Sequence, residues 1–527
     1  MNVNLAGILE QSARHFGDRT AVVDGSARFT YAEMERRVAA LDAGLRSCGV
    51  GEGDVVAMLM LNSYRHLELW FAIPRGGAVL NDLNIRLAPA ELAFILADCG
   101  ATALVVDDAF VPLGLALAGS CPSIRAVIHA CDGEALDATI GYEALVAEHA
   151  AATEPARDVT EETLAGIFYT GGTTGRPKGA MLSHRNLMEN AKHVLIAWGY
   201  QADDVYLHAA PMFHLADGAS TYSITACGGR HVIIPAFEPE VAVATIEAER
   251  VTRALLVPTM LNLIVNHPAT ATRDLSSLRR IIYGASPMPP ELLRQVMSAI
   301  DCEWAQAYGM TEASPLVTYL PAEDHVRGSA GEEPHATRLR SAGRAVIGVE
   351  VSVRRPDGST TEPGEPGEVW VRGPNIMLGY WKRPAETDAA LVDGGWYRSG
   401  DAAHVDADGY IYIVDRIKDM IITGGENVYS TEVENALYSH PGVLEVAAFG
   451  VPDERWGERV HAAVVLRPGA DACEHDLIEH CRRRIAGYKL PRSVDFHADA
   501  LPKSGAGKIL KRDLRQPYWE QRERQVS

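Results

Sequence analysis

Eleven consecutive residues, Tyr169 to Gly179 (Tyr-Thr-Gly-Gly-Thr-Thr-Gly-Arg-Pro-Lys-Gly), bring together four glycines, three threonines and two cations. Glycine permits sharp turns and presents bare backbone N–H groups to an anion. The hydroxyls of Thr170, Thr173 and Thr174 add donors, and Lys178 adds a compact positive charge. With Gly171, Gly172 and Gly175 between them, these residue types suit a polyphosphate. The spacing is not that of a Walker A loop, in which Gly-Lys-Ser/Thr opens a helix, because Arg176 and Pro177 separate Gly175 from Lys178. Pro177 disfavours the helical region at Arg176, so the loop is expected to run on past Lys178 before any helix starts. A plain Gly/Thr-rich hairpin turn is the alternative for the stretch.

Other residues able to do chemistry fall just past predicted strands. His214 follows the apolar Val205–Ala210 through Pro211-Met212-Phe213, Gly284-Ala285-Ser286 follows Leu278–Tyr283, and Tyr308-Gly309-Met310-Thr311-Glu312 follows Trp304–Ala307. Open α/β sheets bind ligands at the carboxyl ends of their strands. The surrounding pattern predicts such sheets. Val55–Leu61 reads as a strand buried on both faces, followed by helices at Tyr64–Pro74 and Pro89–Asp98 and a strand at Ala103–Val106. The alternation resumes with a helix at His184–Trp198 and continues to a strand at Ala254–Val257, as expected of right-handed parallel crossovers. From Gly343 short β runs, Val349–Arg354, Val369–Arg372 and Tyr410–Asp415, predict a small β-rich subdomain. The expected fold is therefore α/β. A large N-terminal domain (1–416) of doubly wound subdomains plus that β-rich piece precedes a small, mobile α+β domain (417–527).

The bulk numbers set limits. A chain of 527 residues suggests on the order of three or four structural units. A formal net charge of −20 argues against a general nucleic-acid or anionic-membrane binder. The eight cysteines form no Cys-x-x-Cys pair and no ligand-like cluster with histidine in the sequence, and they read as reduced packing residues. Residues 1–20 hold no apolar signal core, and the apolar stretch at 109–119 falls short of the ~20 residues that span a bilayer. A cytoplasmic protein without integral membrane contact is expected.

Five motifs in register resemble the adenylate-forming superfamily, specifically the acyl-CoA synthetases. They are the loop 169–179, Tyr308 to Glu312, Gly395-Trp396-Tyr397-Arg398-Ser399-Gly400-Asp401, Asp415-Arg416-Ile417-Lys418-Asp419, and Pro502-Lys503-Ser504-Gly505-Ala506-Gly507-Lys508. The resemblance implies ATP, Mg2+ and CoA as substrates and cofactor, with acyl-AMP as the intermediate. It implies that the 169–179 loop holds the β- and γ-phosphates, that Glu312 is the metal ligand, and that Thr311 donates to the α-phosphate. Tyr308 would stack on adenine with Gly284, Ala285 and Ser286 on the other face, beside Gly309 and Met310. Asp401 and Arg416 would take the ribose. Lys508 matches the catalytic lysine, Lys418 the hinge, and Gly424, Gly425 and Glu426 the stretch that lets pantetheine approach. Lys511 and Arg512 read as part of a solvated basic tail. Gly171, Ser399 and Ala307 depart from the family's commonest residues at those positions without removing a charge.

For the acyl site the resemblance implies that His214 lies beside the substrate carboxylate. An acyltransferase base paired with Asp217 is the rival, but His214 and Asp217 are one residue too close for that family's spacing. The pocket is expected to draw on His214, Asp217, Gly218, Val257, Gly284, Ala307 and Met310. Asp217 is the only charge there, so an apolar tail is expected: a medium/long-chain or bulky acid first, an aryl or cinnamate-like acid second. Small residues from Ala216 to Ser220 would leave room for it. A carrier-protein phosphopantetheine instead of free CoA, a luciferase-like oxygenase on the same scaffold, and a homodimer are left open.

Overall fold

Val55–Leu59 is buried on every residue and pairs in parallel with Val79–Asp82 on one side and Ala101–Asp107 on the other, as a run of β-branched and aliphatic residues without alternation should. In the computed structural model, which describes residues 4–170, 177–392, 394–417, 419–504 and 509–526, this strand sits mid-way in an eight-stranded sheet. In spatial order that sheet runs Gly379–Tyr380, Lys178–Ser183, Leu164–Thr170, Val79–Asp82, Val55–Leu59, Ala101–Asp107, Ala126–Ala130 and Ile140–Gly141. The first two strands are antiparallel to their neighbours, and the rest are parallel.

A nine-stranded sheet lies alongside. Its order is Arg344–Ala345, Leu316–Leu320, Glu303–Gly309, Arg280–Gly284, Arg253–Leu256, Val205–His208, Arg230–Ile233, Thr20–Asp24 and Ala27–Thr30, with six parallel strands in the middle. The chain leaves Val205–His208, returns as Arg230–Ile233 on one side, then crosses to Arg253–Leu256 on the other. That reversal opens a crevice at the strands' carboxyl ends. Helices fill the space between the two sheets, and one continuous apolar core joins them through Trp70, Phe71, Trp198, Tyr206 and Tyr222.

A five-stranded antiparallel sheet, including Trp396–Val405 and Ile411–Arg416, follows as expected of the β-rich piece. The last domain has its own sheet around the long pair Val443–Asp453 and Gly457–Leu466, with Ser493–Phe496 added in parallel. The helices Ser430–Tyr438 and Glu474–Arg482 bury Val433, Leu437, Leu477 and Cys481 against it. The segment after Lys178 is not a continuing loop. Lys178–Ser183 is a strand paired antiparallel with Leu164–Thr170.

Several buried histidines are locked in neutral form. His325 Nε2 lies 2.8 Å from the Tyr283 hydroxyl and its Nδ1 2.9 Å from the Pro321 carbonyl, while His184 Nδ1 accepts the Leu5 N–H at 3.2 Å. Burial pushes both rings down to about 4 from an ordinary 6.5. Their contribution to stability is present above pH 6.5 and is lost as pH falls towards 4, because the unfolded chain takes up protons that the folded one refuses. His66 works in the opposite sense: burial opposes its charge, but Asp82 at 2.7 Å outweighs that and raises its pKa. Urea midpoints measured from pH 7 to pH 4.5 should therefore fall, and His325→Gln should show a shallower fall than the parent.

Candidate active site

The site is organised by the end of the strand Glu303–Gly309 and the single 3-10 turn Thr311–Ala313 that follows it. Gly309 has to be glycine because a Cβ there would lie 1.8 Å from the Pro315 carbonyl oxygen, and one on Gly284 would lie 2.2 Å from that of Ala307. Buried Asn375 clamps the turn, its Nδ2 donating to the carbonyls of Ala313 (2.7 Å) and Leu316 (3.0 Å). The Met377 N–H donates to the Glu312 carbonyl at 2.9 Å. Tyr308 and Glu312 are thereby held four residues apart, each facing a different cluster.

At one cluster the Glu312 carboxylate accepts the Tyr380 hydroxyl at 2.9 Å, with the Thr170 hydroxyl 3.5 Å away. Lys178 stands at the start of the adjoining strand with its ammonium 5.2 Å from the Tyr380 ring centre. Burial first, then the Glu312 charge, raises the Tyr380 pKa, so its hydroxyl stays a donor. Among the described residues no lysine or arginine forms an ion pair with the nearly buried Glu312 carboxylate. Such an oxygen donor suits a hard divalent cation. Gly171, Gly172, Thr173, Thr174 and Gly175 lie outside the described residues.

At the other cluster the Tyr308 hydroxyl donates to Asp401 Oδ2 at 2.7 Å, and Arg416 Nε lies 3.5 Å from Asp401 Oδ1. The last two sit on paired strands, Asp401 opposite Arg416. Burial, then the Asp401 charge, holds Tyr308 well above its ordinary pKa. Gly284 ends the neighbouring strand opposite Ala307, and Ala285 after it takes a left-handed φ of +64°, a conformation that costs a non-glycine residue of order 1–3 kcal/mol.

His214 caps the helix Leu215–Cys227, its Nδ1 accepting the Ala216 N–H at 3.1 Å, which leaves the proton on Nε2. Burial, only partly offset by Asp217, brings its pKa down to about 4. Val257 starts the turn after the neighbouring strand Arg253–Leu256, so the two residues flank the crevice where strand order reverses. Two expected lining residues point elsewhere. Asp217 is fully buried and accepts from Tyr206 (3.0 Å) and His208 Nδ1 (2.5 Å), in a chain that continues to His231. Gly218 packs on Trp70: a Cβ there would lie 2.4 Å from the indole. Ser220 is likewise buried against the Tyr200 hydroxyl. The room expected at Gly218 and Ser220 is therefore taken up by core side chains, and Asp217 turns away from the crevice. Ala307 and Met310, like His214 and Ala216, are partly exposed.

Gly424 and Gly425 form the tip of a hairpin between Ile421–Thr423 and Glu426–Val428, with φ of +60° and +85° as a two-residue type I′ loop demands. Lys418 and Lys508 fall outside the described residues. Lys511 is not a solvated tail residue: it opens the helix Lys511–Val526 and pairs with Glu434 at 2.7 Å in a buried setting. Cys131, read as packing, lies near His129 and Asp108, but His129 is already engaged by Asp108 at 2.8 Å. Sequence reasoning missed Tyr380, Asn375 and Trp70. Tyr380 lies in a two-residue strand, Asn375 works through backbone carbonyls, and Trp70 fits a generic apolar helix. None carries a local signal.

Two clusters facing opposite ends of one strand terminus, with a separate last domain, define an adenylate-forming enzyme. The description "AMP-binding enzyme" fits residues 9–381 and "AMP-binding enzyme C-terminal domain" fits residues 432–508, and the chain belongs to this family. It is 42% identical to a feruloyl-CoA synthase of Amycolatopsis sp, covering 96% of this chain and 97% of that one. It is 36% identical to a fatty acid–[acyl-carrier-protein] ligase of Streptomyces coeruleorubidus, over 98% and 96%. ATP-bound MatB from Rhodopseudomonas palustris has the same fold, with a TM-score of 0.87 at 30% identity over 98% and 99% of the chains. Within the family the chain is an acyl-CoA synthetase, an AMP-forming acid–thiol ligase that uses ATP, Mg2+ and CoA.

The Trp70 contact makes Gly218 a structural residue. Gly218→Ala should cost about 1–3 kcal/mol in urea unfolding through overpacking.

Proposed function

We propose that the Glu312 cluster receives the triphosphate and the Asp401 cluster the nucleoside, with the acid entering past His214. The observation that supports this most is that Tyr308 and Glu312, four residues apart on one clamped turn, each face a separate set of polar groups, Asp401 with Arg416 and Tyr380 with Thr170. In this reading Lys178 and the 169–179 loop neutralise the β- and γ-phosphates, Thr311 donates to the α-phosphate, and Asp401 with Arg416 holds the ribose. On nucleotide binding Tyr308 exchanges its bond to Asp401 for stacking on adenine. Glu312 would hold Mg2+, which supplies positive charge to the phosphates.

The substrate carboxylate then attacks the α-phosphorus as the bond to pyrophosphate breaks, with the Lys508 ammonium between the two anions. The thiolate of CoA next attacks the acyl carbon and AMP leaves. His214 is neutral at physiological pH and offers Nε2–H to the carboxylate without adding a competing cation. We place the working halves at residues 1–416 and 417–527, with Lys418 as the hinge and Gly424, Gly425 and Glu426 beside the pantetheine arm.

With Asp217 turned into the core, the acyl side is uncharged, which supports a hydrophobic acid, medium/long-chain or bulky. An aryl or arylpropenoic acid is the second reading, favoured by Trp70 filling the space behind Gly218 and by the 42% identity to a feruloyl-CoA synthase. A carrier-protein thiol is the alternative acceptor, as in the name of the Streptomyces coeruleorubidus relative. The proposed location is the cytoplasm; among the described residues no helix is long and apolar enough to cross a membrane.

ATP–pyrophosphate exchange across a panel of aryl and alkyl acids, followed by CoA and mass detection of the thioester, tests the whole reading. Exchange should require Mg2+ and a hydrophobic acid and should yield AMP; ADP and inorganic phosphate as products would refute it. Glu312→Gln should lower exchange by about a hundredfold, the scale of losing one preorganised charge contact in an active site. Lys508→Ala should abolish exchange yet leave thioester formation from supplied acyl-AMP largely intact.

A further inference from the structure

A buried chain of polar groups crosses the linker to the last domain. Asp415, near the end of the strand Ile411–Arg416, is buried, and its Oδ2 accepts both the backbone N–H (2.5 Å) and the hydroxyl (2.6 Å) of Ser430. Ser430, fully buried, opens the first helix beyond the linker. Its oxygen also accepts from the Lys511 ammonium, which pairs with Glu434 at 2.7 Å. Glu434 takes the Ala448 N–H at 2.9 Å as well. A serine hydroxyl has one proton, and here it goes to Asp415 while the lone pairs face Lys511, so the chain has a single direction.

These bonds divide unequally between the two halves of the protein. Ser430, Glu434 and Lys511 all belong to the last domain, so the Lys511–Glu434 pair moves with it. Asp415 sits on the strand that carries Arg416 and pairs with the strand of Asp401. The two bonds from Ser430 to Asp415 therefore span residues 416–419 and cannot survive a rotation there. A second contact belongs to the same pose. Arg86, beyond the strand Val79–Asp82, donates to the carbonyl of Ser504 at 3.0 Å, which sets the flank of the Lys508-bearing segment against the large domain.

We propose that Asp415 and Ser430 form a latch: positioning residues that hold the last domain, through Lys511 and the helix it starts, in the pose that makes acyl-AMP, and that part before the thioester is made. The inference rests on the reading of 416–419 as the hinge and Lys508 as the adenylation lysine. Single-turnover rates on the full-length protein, with the best acid of the exchange panel, separate the two steps. Ser430→Ala should slow acyl-AMP formation about tenfold, the worth of one hydrogen bond to a charged group. It should leave thioester formation from supplied acyl-AMP unchanged or faster. Ser430→Thr, which keeps the hydroxyl, should restore the parent ratio, and Asp415→Asn should behave as Ser430→Ala does. Trypsin cleavage after Arg416 should quicken in Ser430→Ala at equal melting temperature. An equal fall in both half-reactions, or an unaltered first step with unaltered cleavage, would overturn the latch. A parent enzyme that makes no acyl-AMP would instead overturn the functional reading, and the cleavage comparison would still decide whether the contact holds the linker.

Discussion

One strand end has to face two ways. Between Tyr308 and Glu312 the chain turns from a sheet that addresses the Asp401 cluster to a loop that addresses the Lys178 hairpin, within four residues. No side chain could sit at Gly309, because the backbone of Pro315 occupies that volume. The turn is then fixed from outside by Asn375, whose amide satisfies two carbonyls that a sharp bend would otherwise bury unpaired. Both sheets, the β-rich piece and the large core converge on this point. Moving any of them would change the distance between the two clusters.

The electrostatics follow from that geometry. Glu312 forms no ion pair with a lysine or arginine among the described residues, while its hydrogen-bonding capacity is partly met by Tyr380, a donor that burial keeps protonated. A carboxylate so placed has oxygen lone pairs to spare for a ligand. Around His214 the opposite holds. Asp217 is turned inward to His208 and Tyr206, and burial keeps His214 neutral.

Much of this was legible in the sequence because the informative residues are local. Strand-then-motif order placed His214, Gly284 and Tyr308 at strand ends, and the alternation of strands and helices yielded the α/β class. What failed did so for non-local reasons. Lys511 looked like one cation in a basic run, and only the fold brings Glu434 and Ser430 to it. Asp217 and Gly218 sit on a helix whose rotation decides which face meets the crevice. A one-residue offset in that helix swings a side chain by ~100°, which residue spacing alone could not resolve.

The contact between Trp70 and Gly218 has a consequence for how far the scaffold around His214 could shift. An indole seated at a glycine fixes the spacing of the helices Tyr64–Arg75 and Leu215–Cys227, so neither can drift outward without opening a void between them. His214 caps the second of these helices, and its place at the crevice is thereby tied to a tryptophan in the core of the large domain.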